Sequence, residues 1–148
     1  MPLMAGIKAI IVGVDGSESS TAALRWAYDE AVHHDASLTV LMTWSAPLIP
    51  MTPPYGTLPP EGYGKQPREV ALALLDNLTK NLGDGDSRVD VRTAIEEGNP
   101  AKILIERSKE ADLLVVGSRG QGGFAGMLLG SVSQHLVTHA ACPVVVLR

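Results

Sequence analysis

The sequence predicts an α/β fold, a single-domain, doubly wound, five-stranded, mainly parallel sheet with helices on both faces. Three observations predict it. Five short strand-like runs are spaced along the chain, from Ala9 to Val14 through to Pro143 to Leu147, mostly apolar and rich in β-branched residues, with Val89 to Ala94 the more polar one. Stretches with apolar residues at helical spacing separate them, and glycine, proline, serine and aspartate punctuate the joints. Strands that alternate with helices are joined by right-handed crossovers, which makes neighbouring strands parallel and puts helices on the sheet faces.

The elements follow in order. Ala9-Ile10-Ile11-Val12-Gly13-Val14 is apolar on both faces, as a central strand covered on both sides should be. Asp15-Gly16-Ser17 ends it, and Ser19 or Ser20 is placed to cap a helix running to about His34, with Ala23, Leu24, Ala27, Ala31 and Val32 on its apolar side. Ser37 to Thr43 is the second strand. Residues 45–67 are crowded with proline and glycine, which remove backbone donors and exclude a regular ladder, so a long loop is expected there. A helix from about Arg68 to Leu82 ends at Gly83-Asp84-Gly85, and Val89 to Ala94 is the third strand. Pro100 to Glu110 is the next helix, with proline in its first turn. Leu113 to Val116 is the fourth strand, Ser131 to about His139 the last helix, and Pro143 to Leu147 the closing strand. No internal repeat of fixed period accompanies this order.

Composition bounds the function. A chain of 148 residues, 45% hydrophobic and 19% charged, is one domain's length with enough apolar surface for a core, so residues 1–148 are expected to form one domain that contains the loop 45–67. The net charge of -4 provides no basic field for nucleic acid or anionic lipid, and neither partner is expected. A single cysteine, Cys142, excludes an internal disulfide framework and fits a reducing compartment, so a cytoplasmic location is expected. No run of eighteen apolar residues occurs and the first residues lack a signal-peptide pattern.

Two loops follow strand ends where ligands bind in such sheets, beyond the carboxyl ends near the switch in strand order. The first is Asp15-Gly16-Ser17. The second, Gly117 to Ser131, holds six glycines in fifteen residues and no acidic side chain. Glycines let backbone N–H groups approach a ligand closely and form an anion nest. Gly130-Ser131 also stands at a helix N-terminus, where free N–H groups and the positive dipole end favour phosphate. Histidines aside, Arg119 and Arg148 are the charged side chains after Asp112.

The pattern Gly117-x-x-Gly120, nine residues, then Gly130-Ser131 resembles the nucleotide-binding signature of the universal stress protein family, in its ATP-binding branch. The resemblance extends along the chain, through "IIVGVDGSESSTAALRWA", "EGNPAKILIE" and "ACPVVVLR". It implies a Rossmann-like sheet of the adenine nucleotide alpha hydrolase-like kind. It also implies that ATP, with Mg, is the cofactor. Asp15 would contact the ribose or a metal beside the phosphates, Gly13 and Val14 would line the base pocket, and Thr43 would meet adenine. Gly117, Ser118, Arg119 and Gly120 would wrap ribose and phosphates, and Gly130, Ser131, Val132 and Ser133 would offer amides and hydroxyls to the phosphate chain. The family often carries a histidine near the position of Met42, where this chain departs from it. The resemblance further implies a homodimer through the closing strand, residues 144–147, whose backbone, if the strand lies at a sheet edge, invites pairing with a second copy.

Other motifs are weaker. Gly120-x-Gly122-x-x-Ala125 fits a loose dinucleotide fingerprint without the later acidic residue that would bind the ribose. Gly64-Lys65-Gln66 lacks the spacing and hydroxyl of a Walker A loop, and no lysine follows Lys109, as a phosphoacceptor receiver would require. His135 and His139 stand four apart on the last helix, as metal ligands can, without a carboxylate nearby in sequence. Cys142 is expected to pack as a small hydrophobe, Trp26 and Trp44 to lie in the core or an interface, and Glu96 and Glu97 to be solvated loop charges. The function that follows is an ATP-binding stress-response or signalling module with at most slow hydrolysis. The alternatives are a cyclic-AMP binder and a nucleotide-free dimeric scaffold.

Overall fold

The computed structural model describes residues 6–45, 67–82, 89–119 and 129–148. Nine elements alternate along them: β1 (Ala9–Val14), α1 (Glu18–His34), β2 (Ser37–Trp44), α2 (Pro67–Thr79), β3 (Val91–Glu97), α3 (Pro100–Ser108), β4 (Leu113–Gly117), α4 (Ser131–His139) and β5 (Val144–Leu147). The strands form one sheet in the order β3-β2-β1-β4-β5, parallel at every pairing. The chain moves outward from β1 to β2 and β3, then crosses back to β4 and continues to β5. β1 and β4 are therefore neighbours at the point where the winding reverses.

Period-two alternation assigns each strand residue to a face. Ile10, Val12, Val14, Leu38, Val40, Met42, Leu113 and Val115 pack with α1 and α2 through Ala23, Leu24, Ala27, Ala31, Ala71 and Leu75. Ile11, Leu41, Leu114 and Val116 pack on the other face with Leu104 of α3 and Leu136 of α4. Val12, Val115 and Leu114 have no exposed surface, which is why the inner strands read as continuous apolar runs. Trp26 and Trp44 are partly buried against the first core and Cys142 against the second.

Several boundaries differ from the sequence reading, each for a local reason. α1 is capped by Ser17, whose hydroxyl accepts from Ser20 N–H at 3.3 Å, and not by Ser19 or Ser20. Ser20 is instead buried inside the helix start and donates to Ser17 C=O at 3.0 Å. β3 spans Val91–Glu97 rather than 89–94, because its register on β2 continues to Thr43↔Glu96 and Trp44↔Glu97. Glu96 and Glu97 are thus strand residues and not loop charges. An edge strand keeps one side in water, and Glu96 is paired with Arg107 of α3 at 2.8 Å. α2 ends at Thr79, where the hydroxyl turns back to Leu75 C=O at 2.9 Å, and a turn carries the chain to Leu82. α3 is capped by Asn99 and ends at Ser108, two residues before Glu110. Pro143 precedes β5, lending only its carbonyl to Leu114 N–H at 3.0 Å. Most of the proline-rich loop 45–67, and Gly83 to Gly85, lie outside the described residues.

Candidate functional site at the carboxyl ends of β1 and β4

The site begins where β1 stops. Gly16 has φ of 83°, a left-handed conformation that glycine adopts without a Cβ clash, so the chain turns sharply after Asp15. The exposed Asp15 carboxylate accepts Ser17 N–H at 2.9 Å, and Asp15 N–H donates to Ser20 Oγ at 3.3 Å. The turn is built by the helix start that follows it.

β4 ends against the same turn of α1. A Cβ on Gly117 would lie 2.7 Å from the Ser19 carbonyl carbon and 2.7 Å from Ser20 N, both backbone atoms. Only hydrogen fits there. Two residues on, Arg119 C=O accepts from Ser19 Oγ at 2.6 Å and lies 3.4 Å from Ser17 Oγ. Between them, Ser118 ties three elements together. Its N–H donates to Leu147 C=O at 2.6 Å, and its carbonyl accepts from Gly130 N–H at 2.6 Å. Ser133 Oγ is a donor shared between Ser118 C=O at 3.1 Å and Gly130 C=O at 3.0 Å. Both ends of the glycine loop are therefore held side by side over β5.

The α4 N-terminus differs from those of α1 and α3. α1 and α3 have side-chain caps from Ser17 and Asn99, whereas Gly130 caps α4 without any side chain. Among the described residues, no side chain thus caps the first N–H groups of α4, and Ser131 is exposed beside them. Such a terminus favours an anion through its free donors and its positive dipole end.

Of the residues singled out in the sequence, Asp15, Gly117, Ser118, Arg119, Gly130, Ser131 and Ser133 are brought to one end of the β1–β4 pair. Ser118 and Ser133 are buried, and the Ser133 hydroxyl is committed to the loop's own carbonyls. Val132 is partly buried against the second core. Gly13 faces α3, where a Cβ would stand 3.0 Å from a Leu104 methyl, and the Val14 side chain lies in the α1/α2 core. Thr43 is half-buried on β2, beside Glu96 of β3 in register and separated from β4 by β1. Gly120 lies outside the described residues. Sequence reasoning missed Ser17 and Ser19 as anchors of Arg119. A surplus of hydroxyls in "SESS", more than one cap requires, was the available signal.

Among the described residues, no group of three or more His, Cys, Asp or Glu could hold a metal ion. His135 and His139 are exposed with ring centroids 6.2 Å apart, and His135 Nδ1 lies 3.0 Å from Ser131 C=O. Burial, and then the negative charge of Asp112, push the Cys142 thiol above its ordinary pKa. Among the described residues, no helix is long and apolar enough to cross a membrane.

The universal stress protein family model matches residues 6–148. The chain belongs to the universal stress protein family. A universal stress protein of Mycolicibacterium smegmatis is 37% identical over 140 residues, which are 94% of this chain and 45% of that protein. The chain thus spans a little under half the length of the curated relatives it matches. Among solved structures, the universal stress protein UspA from Lactobacillus plantarum is similar at 27% identity and a TM-score of 0.68, over 97% of this chain and 99% of that one. A universal stress protein in complex with cAMP is similar at 27% identity and a TM-score of 0.65, over 97% and 98% of the two chains. The all-parallel sheet is therefore the fold of the family, as the sequence predicted.

Proposed function

We propose that this chain is an ATP-binding universal stress protein that acts as a nucleotide-dependent module in a stress response, in the cytoplasm, with residues 1–148 as one domain. The observation that carries the reading is the α4 N-terminus, without a side-chain cap and clasped through Ser118 to the end of β4, beside the Asp15 turn. Gly117, Ser118 and Arg119, continuing into Gly120, border the ribose and phosphates. Gly130, Ser131 and the amides of Val132 and Ser133 take the phosphate chain, while Gly13, Val14 and Thr43 flank the base. Bound Mg supplies positive charge beside the phosphates, and Asp15 is the exposed carboxylate that would hold it. Hydrolysis is slow at most. Phosphoryl transfer needs a positioned nucleophile and base, and the one carboxylate in the described residues of these loops, Asp15, is the group assigned to Mg and already accepts Ser17 N–H.

The test is calorimetric titration with ATP, AMP and cyclic AMP, each with and without Mg²⁺, on the wild type and Asp15→Asn. Asparagine keeps the acceptor that holds Ser17 N–H and removes the charge. Saturable ATP binding is expected, strengthened by Mg²⁺, with that strengthening lost and affinity down roughly tenfold in the variant, the size of one charged contact. An Asp15→Asn protein with unchanged Mg²⁺ dependence would remove Asp15 from the site. The relative in complex with cAMP favours a second reading, cyclic AMP as ligand, which tighter cyclic AMP than ATP binding would establish. Absence of all nucleotide binding would leave a scaffold.

The reading includes a homodimer through β5. The two sheet edges differ in kind. β3 carries Arg92, Glu96 and Glu97, charges that deter strand addition, whereas β5 is Val144-Val145-Val146-Leu147. Val146→Lys puts on β5 the kind of charge that guards β3. Light scattering is expected to report a dimer for the wild type and a monomer for the variant, at unchanged circular dichroism. A dimeric variant would place the interface elsewhere.

A further inference from the structure

We propose that Ser19 is a positioning residue for the anion-binding half of this site, acting through Arg119. The proposal rests on the nucleotide reading above and adds a residue outside the glycine signature. Ser19 sits in the first turn of α1, half-buried, and its Oγ meets both backbone polar groups of Arg119 across 100 residues of sequence. It donates to Arg119 C=O at 2.6 Å and accepts from Arg119 N–H at 3.4 Å. Ser17 reaches the same carbonyl only at 3.4 Å, and its hydroxyl is already the acceptor for Ser20 N–H as the cap of α1. Helix capping therefore does not account for Ser19.

The backbone on either side supports this assignment. Gly117 lies so close to Ser19 and Ser20 that no Cβ fits between them. Residues 117 to 119 are thus docked on the turn of helix that also shapes the Asp15 turn through Ser17 and Ser20. One hydroxyl joins the backbone of Arg119 to the helix turn that holds the Asp15 turn. Arg119 is exposed, and a long side chain loses much rotamer freedom when it binds. Fixing the backbone from which it departs removes the further cost of ordering that backbone and sets where the guanidinium can reach, as supporting groups do in pre-organised sites. The ligand portion affected is the phosphate, which a guanidinium recognises, and not the base.

The experiment compares wild type, Ser19→Ala and Ser19→Thr in calorimetric titrations with ATP and with adenosine, alongside amide exchange at Arg119. Ser19→Ala is expected to weaken ATP roughly five- to tenfold, the effect of losing one hydrogen bond, and to weaken adenosine far less, since adenosine keeps the ribose but lacks the phosphates that the guanidinium holds. Ser19→Thr restores ATP affinity because the hydroxyl is retained. The Arg119 amide exchanges faster in Ser19→Ala than in the other two proteins. Equal losses for ATP and adenosine would show a general structural effect and overturn the proposal, as would wild-type ATP affinity in Ser19→Ala. If wild type binds no nucleotide the functional reading fails by itself, and unchanged exchange at Arg119 would then overturn the clasp as well.

Discussion

Gly117→Ala is expected to lower folding stability by about 3 kcal/mol, the upper end for an added methyl that meets rigid neighbours, and to abolish ATP binding. The added carbon would stand 2.7 Å from two backbone atoms of the first turn of α1, and neither can rotate away as a side chain can. Relief requires β4 and α1 to separate at the sheet's switch point, which breaks the Ser19 contact to Arg119 and shifts the Ser118 carbonyl from Gly130 N–H. Urea unfolding reads the stability loss. With a slope of ~1–3 kcal/mol per molar, the midpoint should fall by at least about 1 M. Two other glycines calibrate the result. Gly13→Ala presses on a Leu104 methyl at 3.0 Å, the flexible end of a side chain, and should cost roughly 1 kcal/mol. Gly6→Ala meets nothing within 4 Å and should be neutral within about 0.5 kcal/mol. A Gly117→Ala midpoint near that of Gly6→Ala would mean that β4 and α1 are not docked as described.

This ranking shows which parts of the site were legible in the sequence. The glycines were legible as a pattern, but the reason for each was not. Gly117 is required by the approach of a helix that begins 99 residues earlier in the chain, and Gly13 by a leucine of α3. The strands were legible because β1 and β4 are covered on both faces and so read as unbroken apolar runs, which β2 approaches with Val40, Leu41 and Met42. β3 was misplaced at both ends because it is an edge strand. Its charged residues Arg92, Glu96 and Glu97 carry a loop's composition, and its true limits come from its register with β2, a non-local fact. The same holds for Ser133. Its hydroxyl was expected on the phosphate chain, yet it sits three residues before Leu136, on the helix face that turns inward, and it satisfies the carbonyls of Ser118 and Gly130. Helical phase was the signal that could have placed it. For Ser17 and Ser19 the local turn and capping rules offered an explanation that left no role unfilled, because a hydrogen bond to Arg119 leaves no trace in neighbouring residues.

Leu136→Ala is the second large effect, expected at about 3 kcal/mol within the usual span of ~2–5 for a buried leucine. Leu136 has no exposed surface and packs in the core of Ile11, Leu41, Leu104, Leu114 and Val116. α4 has nine residues, too few to be stable alone, and its buried residues are Ser133 and Leu136. Its apolar anchorage therefore passes mainly through one side chain. Leu136→Met nearly conserves volume and should cost less than about 1.5 kcal/mol, while Val137→Ala, at a position 58% exposed on the same helix, should stay within about 0.5 kcal/mol. Urea unfolding of the three variants gives the ranking. ATP titration of the fraction still folded gives more. Because Leu136 is buried in the core, a loss of affinity in folded Leu136→Ala reports movement of the elements packed on it, the Gly130–Ser131 end of its own helix α4 first among them. Weakened ATP with adenosine unchanged would place the phosphates on that helix end. ATP affinity equal to wild type in the folded fraction would show that the α4 amides do not bear on the ligand, and the anion would have to be held from the Asp15 and Arg119 side alone.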